Sequence, residues 1–276
     1  MGRLAALLRG EWALDRRILD NRKTSEALAR ACAGSTLPDV ARCGDALLGH
    51  VTDGVAKFSV ISPSALETTF TDAQREKIQQ QLNEQGQGLP FLGGVGEATD
   101  SRVNSEGDVL LYSESGAFHL KGTGQMAMRR EYLYIIDSTE KNDKVSESNE
   151  AGGSSDVSVF FHIPNNEAEH LKFFHRLRFD GLGSSATEAA TSHSEDTNNA
   201  AAQGNVAHAE HLCSQDLYKV RFSIGTAGAP VSPASSSAAA AFSFETFSTA
   251  WNVTGPSKDY TIYSVYTKRQ HETLLL

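Results

Sequence analysis

His211, Cys213, Asp216 and Tyr218, side chains able to move protons or attack an electrophile, fall within the run His211-Leu-Cys213-Ser-Gln-Asp216-Leu-Tyr218. In an extended chain His211 and Cys213 share one face, and Asp216, Tyr218, Val220 and Phe222 alternate on a second set. A bulge between Cys213 and Asp216 would unite the two sets. A nucleophilic cysteine needs a base within hydrogen-bond reach and an electropositive setting, and neighbours i and i+2 on a strand do not guarantee either. Cys213 is therefore expected to be a buried, inert thiol. His211, Asp216 and a nearby tyrosine remain a candidate acid/base set. His175 and His211 are each candidates for a proton carrier or a haem ligand, against the alternative of hydrogen-bonded histidines in the core or at a barrel mouth.

Charged residues in apolar registers give a second group. Arg16 is in phase with Leu14 and Ile18, and Glu114 with Tyr112 and Phe118, so both are expected to point inward. Either they form a structural salt bridge, or Arg16 and Arg129 offer guanidinium forks to a carboxylate or phosphate. In Gly255-Pro256-Ser257-Lys258-Asp259-Tyr260, proline fixes one backbone angle and glycine frees another, so the following side chains are presented in a defined geometry. Lys258 could then neutralise an acidic ligand headgroup at a barrel mouth, or it could be salt-bridged at a strand corner where Asp259 caps backbone amides. The ligand-binding candidates are Arg16, Tyr112, Glu114, Arg129, Tyr132, His175, His211, Asp216, Tyr218, Lys258 and Tyr260, with no residue assigned as catalytic.

Composition narrows the partners. The formal net charge is −9, from 34 acidic against 25 basic residues, and no long Lys/Arg run follows a phosphate backbone, so nucleic acid is not expected. Three cysteines without a CxxC pair predict a reducing compartment and no structural metal. GxSxG, HExxH, P-loop and dinucleotide-type glycine patterns are absent from suitable contexts, so no cofactor is expected. No apolar stretch reaches the roughly 18 residues of a membrane span. The expected location is cytoplasmic, with a mitochondrial alternative resting on the arginine-bearing opening MGRLAALLRG.

The elements that must position these residues are mostly strands. Trp12, Leu14, Arg16 and Ile18 alternate with Ala13, Asp15 and Arg17, the signature of a half-buried strand. SEALARACAG predicts a short helix, and 53–61 a second strand. Within 62–107 one amphipathic helix begins near Thr71-Asp72, carries Ile78 and Leu82, and stops by Gly86. VLLYSESGAFHL and MAMRREYLYII form a hairpin across KGTGQ, and VSVFFHI and HLKFFHRLRF form another across Pro164-Asn165-Asn166. HLCSQDLYKVRFSI, FSFETFSTAWNVTG and KDYTIYSVYTKR each add a strand. Residues 181–207 and 226–241 are too poor in large apolar side chains to offset the entropy of ordering and are expected to be mobile loops. Consecutive hairpins without long helices predict an all-β, antiparallel meander of about nine strands, closed into a barrel; a two-sheet sandwich is the alternative.

Gly10-x-Trp12, Tyr112-x-Glu114-x-Gly116, Ala127-x-Arg129-x-x-Tyr132-x-Tyr134, Phe174-His175, His211-x-Cys213-x-x-Asp216-x-Tyr218 and Trp251-x-Val253-x-Gly255-Pro256-x-Lys258-Asp259-Tyr260, in this order along the chain, resemble the uncharacterised family catalogued as domain of unknown function 6314. Stretches 21–50, 62–107, 137–156, 181–207 and 226–241 read as polar, partly disordered loop insertions into one domain spanning 1–276. A Gly-x-Trp on the first strand with a basic residue on the last is also similar to the lipocalin-like, calycin-type barrels. That resemblance implies that Trp12 plugs a barrel floor with Lys268 or Arg269 across its ring.

The function expected on these grounds is binding of a small, partly apolar ligand, one able to carry an acidic group, inside the barrel. The alternatives are an enzyme using His/Asp/Tyr acid–base chemistry and a protein-interaction module with a side-chain-filled barrel. The sequence names no protein partner.

Overall fold

The computed structural model describes residues 3–33, 37–84, 108–139, 154–166, 170–179, 206–225 and 245–269. The expected loops 181–207 and 226–241 lie outside these residues, except for 206 and 207, which begin a strand. Helix α1 (Arg3–Leu8) precedes β1 (Gly10–Asp20), then come α2 (Glu26–Cys32), α3 (Val40–Cys43), a 3-10 turn (Gly44–Ala46) and β2 (Leu47–Ile61). Helices α4 (Pro63–Thr69) and α5 (Asp72–Glu84) follow. Strands β3 (Asp108–Leu120), β4 (Gly124–Thr139), β5 (Ser154–Phe161), β6 (Phe173–Phe179), β7 (Val206–Cys213), β8 (Asp216–Gly225), β9 (Thr246–Thr254) and β10 (Asp259–Lys268) come next in chain order.

Among the described residues ten strands stand where about nine are expected, because the run around Cys213 is a hairpin and not one strand. It turns at Ser214–Gln215, with Ser214 at φ 58°, between β7 and β8. Serine in this left-handed conformation carries no glycine or asparagine signal, so the turn escapes a pattern search. The proposed bulge is therefore a chain reversal, which puts His211 and Asp216 on different strands. Cys213 is exposed, not buried, because it ends β7 at that turn.

The strands hydrogen-bond in the order β6-β5-β4-β3-β2-β1-β10-β9-β8-β7. Every neighbour is a sequence neighbour except β1 and β10, whose antiparallel ladder runs from Trp12 opposite Lys268 to Asp20 opposite Tyr260. The first and last strands thus close the meander. The two ends of the order, β6 and β7, also meet, with the rings of Phe174 and His211 4.8 Å apart. The fold is the expected antiparallel barrel, its hydrogen-bonded order interrupted between β6 and β7.

The chain divides into two compact units. The first is drawn from Met1–Arg9, Lys57–Ser113 and Arg130–His211. Its core lies where α4 and α5 cover one sheet face. Leu66 and Phe70 of α4 and Ile78 and Leu82 of α5 pack with Leu133 and Ile135 of β4 and Phe160 of β5. A capping box opens α5, with the Thr71 hydroxyl accepting from the Gln74 amide and the Gln74 side chain accepting from the Thr71 amide. The helix is tied to the start of β6 by Gln81, which donates to the Leu171 carbonyl (2.8 Å) and accepts from the Phe173 amide (2.7 Å).

The second unit is drawn from Gly10–Ala56, Glu114–Arg129 and Leu212–Leu276. Here the half-buried pattern expected for β1 fails at its C-terminal half, where Arg16, Arg17, Leu19 and Asp20 are all buried. The cause is the helical insertion. Cys32 of α2 and Cys43 of α3 pack with Leu19 and Leu47 over the second face, and Arg17 Nε donates to the Pro38 carbonyl at 3.3 Å. Elsewhere in this unit the Trp12 indole is 1% exposed, edge-on to Phe247 (4.8 Å), with the Lys268 ammonium 4.9 Å from the indole centroid. Of the two cations that the lipocalin resemblance offered, Lys268 is the one over this ring. Gly10 sits at φ 119°, a conformation that side-chain-bearing residues rarely adopt, and a Cβ added there would fall 3.5 Å from Lys268 Cε.

Candidate functional site

The structure sorts the sequence candidates into three groups. The first, in the second unit, is self-contained. Arg16 meets Glu114 in a bidentate pair, Nη1–Oε1 2.9 Å and Nη2–Oε2 2.8 Å, with side-chain exposures of 7% and 2%. The Arg16 Nε donates to Ser264 Oγ at 2.8 Å, and Nη1 reaches Met128 Sδ at 3.5 Å. Of the two arrangements left open by the sequence, the salt bridge forms. Arg129 is exposed at the surface of β4.

The second group surrounds the Gly255–Pro256 turn, also in the second unit. Lys258 Nζ lies 2.8 Å from Asp216 Oδ2 and 2.9 Å from Tyr218 Oη. These two contacts hold its ammonium well above the ordinary lysine range. Asp216 is buried, and its carboxylate packs against Gly255, where an added Cβ would fall 1.9 Å from Oδ1. The glycine is thus required by the carboxylate beside it. Asp259, the expected cap, accepts from the Asn21 side chain at 2.8 Å. Tyr260, half-buried, stands opposite Asp20 and Val253 in the two flanking strands.

The third group lies in the first unit, on the sheet face opposite the helices. Register places Tyr132 opposite Phe161 and Tyr134 opposite Val159, while Leu133 and Ile135 turn to the helix side. The β5–β6 ladder shifts register between Val159 and Phe160, so Phe173 packs towards the helices and the adjacent Phe174 and His175 both contact the aromatic group. Tyr132 stacks on Phe174 (5.8 Å, 9°), Phe161 lies 4.4 Å from Phe174, and Tyr112 lies 5.9 Å from Tyr132. His211 of β7 joins at Phe174, whose backbone its ring also hydrogen-bonds. Tyr112 and His175 are buried, whereas Tyr132, Phe161, Phe174 and His211 are half-exposed.

Burial, aided by the neighbouring His211, pushes the His175 imidazole down to about 3, so the ring is neutral at physiological pH. Burial also lowers His211. Two neutral imidazoles among aromatic rings can share hydrogen bonds with a polar group of a flat apolar molecule. Phe161 and Phe174 are not among the sequence candidates. The signal for them is the doubled aromatic in Phe160-Phe161 and Phe173-Phe174, which in a strand sends one ring to each face.

Two predictions arise from groups outside these sets. Asp137 and Asp156 stand directly opposite on β4 and β5, each with a buried Oδ1 lacking a hydrogen-bond partner, and Arg176 pairs with Asp156. Burial and then the Asp156 charge raise the Asp137 carboxyl above its ordinary range. A raised carboxyl favours folding while protonated, and that advantage is lost as pH climbs through the folded value. Asp137→Asn is therefore expected to raise the urea midpoint at neutral pH, with the gain fading as pH falls through the raised folded value and gone below about 4, the ordinary aspartate range. The thiols give a second expectation. Burial pushes Cys32 to about 11 and also raises Cys43, while Cys213 is exposed. A thiol-disulfide dye is expected to titrate one cysteine in the native protein and all three in denaturant.

Among the described residues no group of three or more His, Cys, Asp or Glu is placed to hold a metal ion, and no helix is long and apolar enough to cross a membrane. The sequence model of DUF6314, a family of unknown function, matches residues 73–268, more than half of the chain. No curated protein matches it. A solved structure described as an S-type phycobiliprotein lyase, CPES, from Guillardia theta superposes with a TM-score of 0.44 at 7% identity, covering 97% of this chain and 91% of that one.

Proposed function

Because the chain belongs to DUF6314, a family of unknown function, its activity is read from its own residues, and we propose that it binds a small, partly apolar molecule with a flat ring system. The observation that carries this is the cluster of half-exposed rings, Tyr132, Phe161, Phe174 and His211, gathered on one face of the first unit. Aromatic rings in mutual contact yet open to solvent hold surface that a flat ligand can cover. In this proposal the ligand's rings lie on Tyr132, Phe161 and Phe174, and its polar group meets His211. Arg16 and Lys258, the cations expected to receive a ligand acid, each have a carboxylate already, so the ligand need not be charged where it is held.

The test is a fluorescence titration with N-phenyl-1-naphthylamine and its sulfonated analogue 1-anilinonaphthalene-8-sulfonate. The uncharged dye is expected to bind at least as well as the anionic one. Phe174→Ala and Tyr132→Ala are each expected to weaken it about tenfold or more, the scale of losing an aromatic contact at the centre of an interface. Dye binding that survives both substitutions with the far-ultraviolet dichroism unchanged would overturn the proposal, as would no binding at all.

A further inference from the structure

In the second unit, away from the Arg16 and Lys258 groups, α3 and the neighbouring ends of β2 and β3 leave a half-open recess of about 280 Å³. Val40, Leu47 and Leu120 supply apolar wall, while His50, His119 and Lys121 supply the polar part. The two imidazoles stack face to face, with centroids 4.7 Å apart and planes 9° from parallel. In parallel rings the in-plane lone pairs run side by side and do not converge, so the pair is not shaped to chelate one metal ion. Charge on one ring opposes charge on the other, so the pair gains from a nearby anion. Lys121 sits at the rim, and its Nζ is 3.1 Å from Asp45 Oδ1 in a pair whose side chains are 51% and 96% exposed, which makes the contact weak and displaceable.

We propose that this recess binds a small monocarboxylic acid with an apolar body, its carboxylate between Lys121 and the His50–His119 pair and its body against Val40, Leu47 and Leu120. Roughly 150 Å³ of apolar cavity takes up a benzene ring, so this recess has room for a ring and its carboxylate. The charge balance supports an anion. Burial, then His119, then Arg17 lower His50 from the ordinary imidazole range, and Asp15 only partly opposes them. A bound carboxylate offsets that crowding, so binding takes up a proton and tightens as pH falls through the imidazole range. The charged groups around the pair are Lys121 in the recess lining, with Asp45 beside it, and Asp15 and Arg17 of β1, which act on His50.

The probe is benzoate, with benzamide as its uncharged counterpart, followed through the imidazole carbon–proton signals of His50 and His119. Benzoate is expected to move both sets saturably and to bind more tightly near pH 6 than near pH 8. Benzamide is expected to bind about tenfold more weakly, and Lys121→Gln, at an exposed position, to weaken benzoate by about the same factor, equivalent to ~1.4 kcal/mol. Equal titration by the two probes, silence of both histidines, or unchanged benzoate affinity in the Lys121 variant would each overturn the assignment. Because the naphthalene-dye site lies in the first unit, Phe174→Ala leaves the benzoate titration unchanged, and failure of one site is distinguishable from failure of the other.

Discussion

Glu114→Ala is expected to lower folding stability by about 3–5 kcal/mol, because it strands the Arg16 guanidinium in a site from which water is excluded. The carboxylate occupies two guanidinium nitrogens at once, and both side chains are almost wholly buried. Ser264 and Met128 remain beside the arginine, but a hydroxyl and a thioether cannot balance a full charge. The loss belongs to the broken pair and not to the absolute value of the bridge. Replacing both partners with apolar residues of similar volume, Arg16→Met with Glu114→Leu, is expected to recover most of the stability. Chemical denaturation of the two single variants and the double variant checks this through the coupling energy. Additive losses would mean that the pair is not coupled in the folded state.

The second large effect falls on Trp12. Truncation to alanine removes the indole from between Phe247 and Lys268 and leaves a void that strand backbones cannot close, at a cost of about 3–5 kcal/mol. Lys268→Met, which keeps the apolar stem and removes only the ammonium, is expected to cost no more than about 1 kcal/mol, the scale of a cation over an aromatic face. Comparing the two by urea denaturation separates packing from charge. Equal losses would show the ammonium, not the ring's volume, to be the dominant contribution.

What could be read from the sequence follows from where single-strand periodicity carries the information. The burial of Trp12 and Leu14 is legible because alternation alone orients them. The α5 helix was visible through Thr71 at its start and the Ile78/Leu82 spacing. Alternation puts Arg17 on an outward face because nothing local reveals that α2 and α3 fold back over it. Ser214 reversed the chain without a turn residue of the usual kind. The sequence candidates Tyr132, His175 and His211 do meet in one aromatic group, but the register shift that brings Phe174 and His175 there depends on the facing strand. Lys258 was legible as presented by its turn, whereas its partner Asp216 lies at the start of another strand and required the tertiary fold.

The ladder between β1 and β10 also bears on how the protein is made. Arg16 and Ser264, opposite one another in that ladder and bonded through their side chains, are 248 residues apart in sequence. Contacts of such separation form late, since the intervening chain must surrender its freedom first. During synthesis β1 therefore emerges from the ribosome with its future partner still untranslated, and it holds an arginine whose bonding partners arrive only with later strands. Its α2–α3 cover, which follows it immediately in sequence, is the part of its surroundings that can form early and shield one face while the nascent chain waits for its last strand.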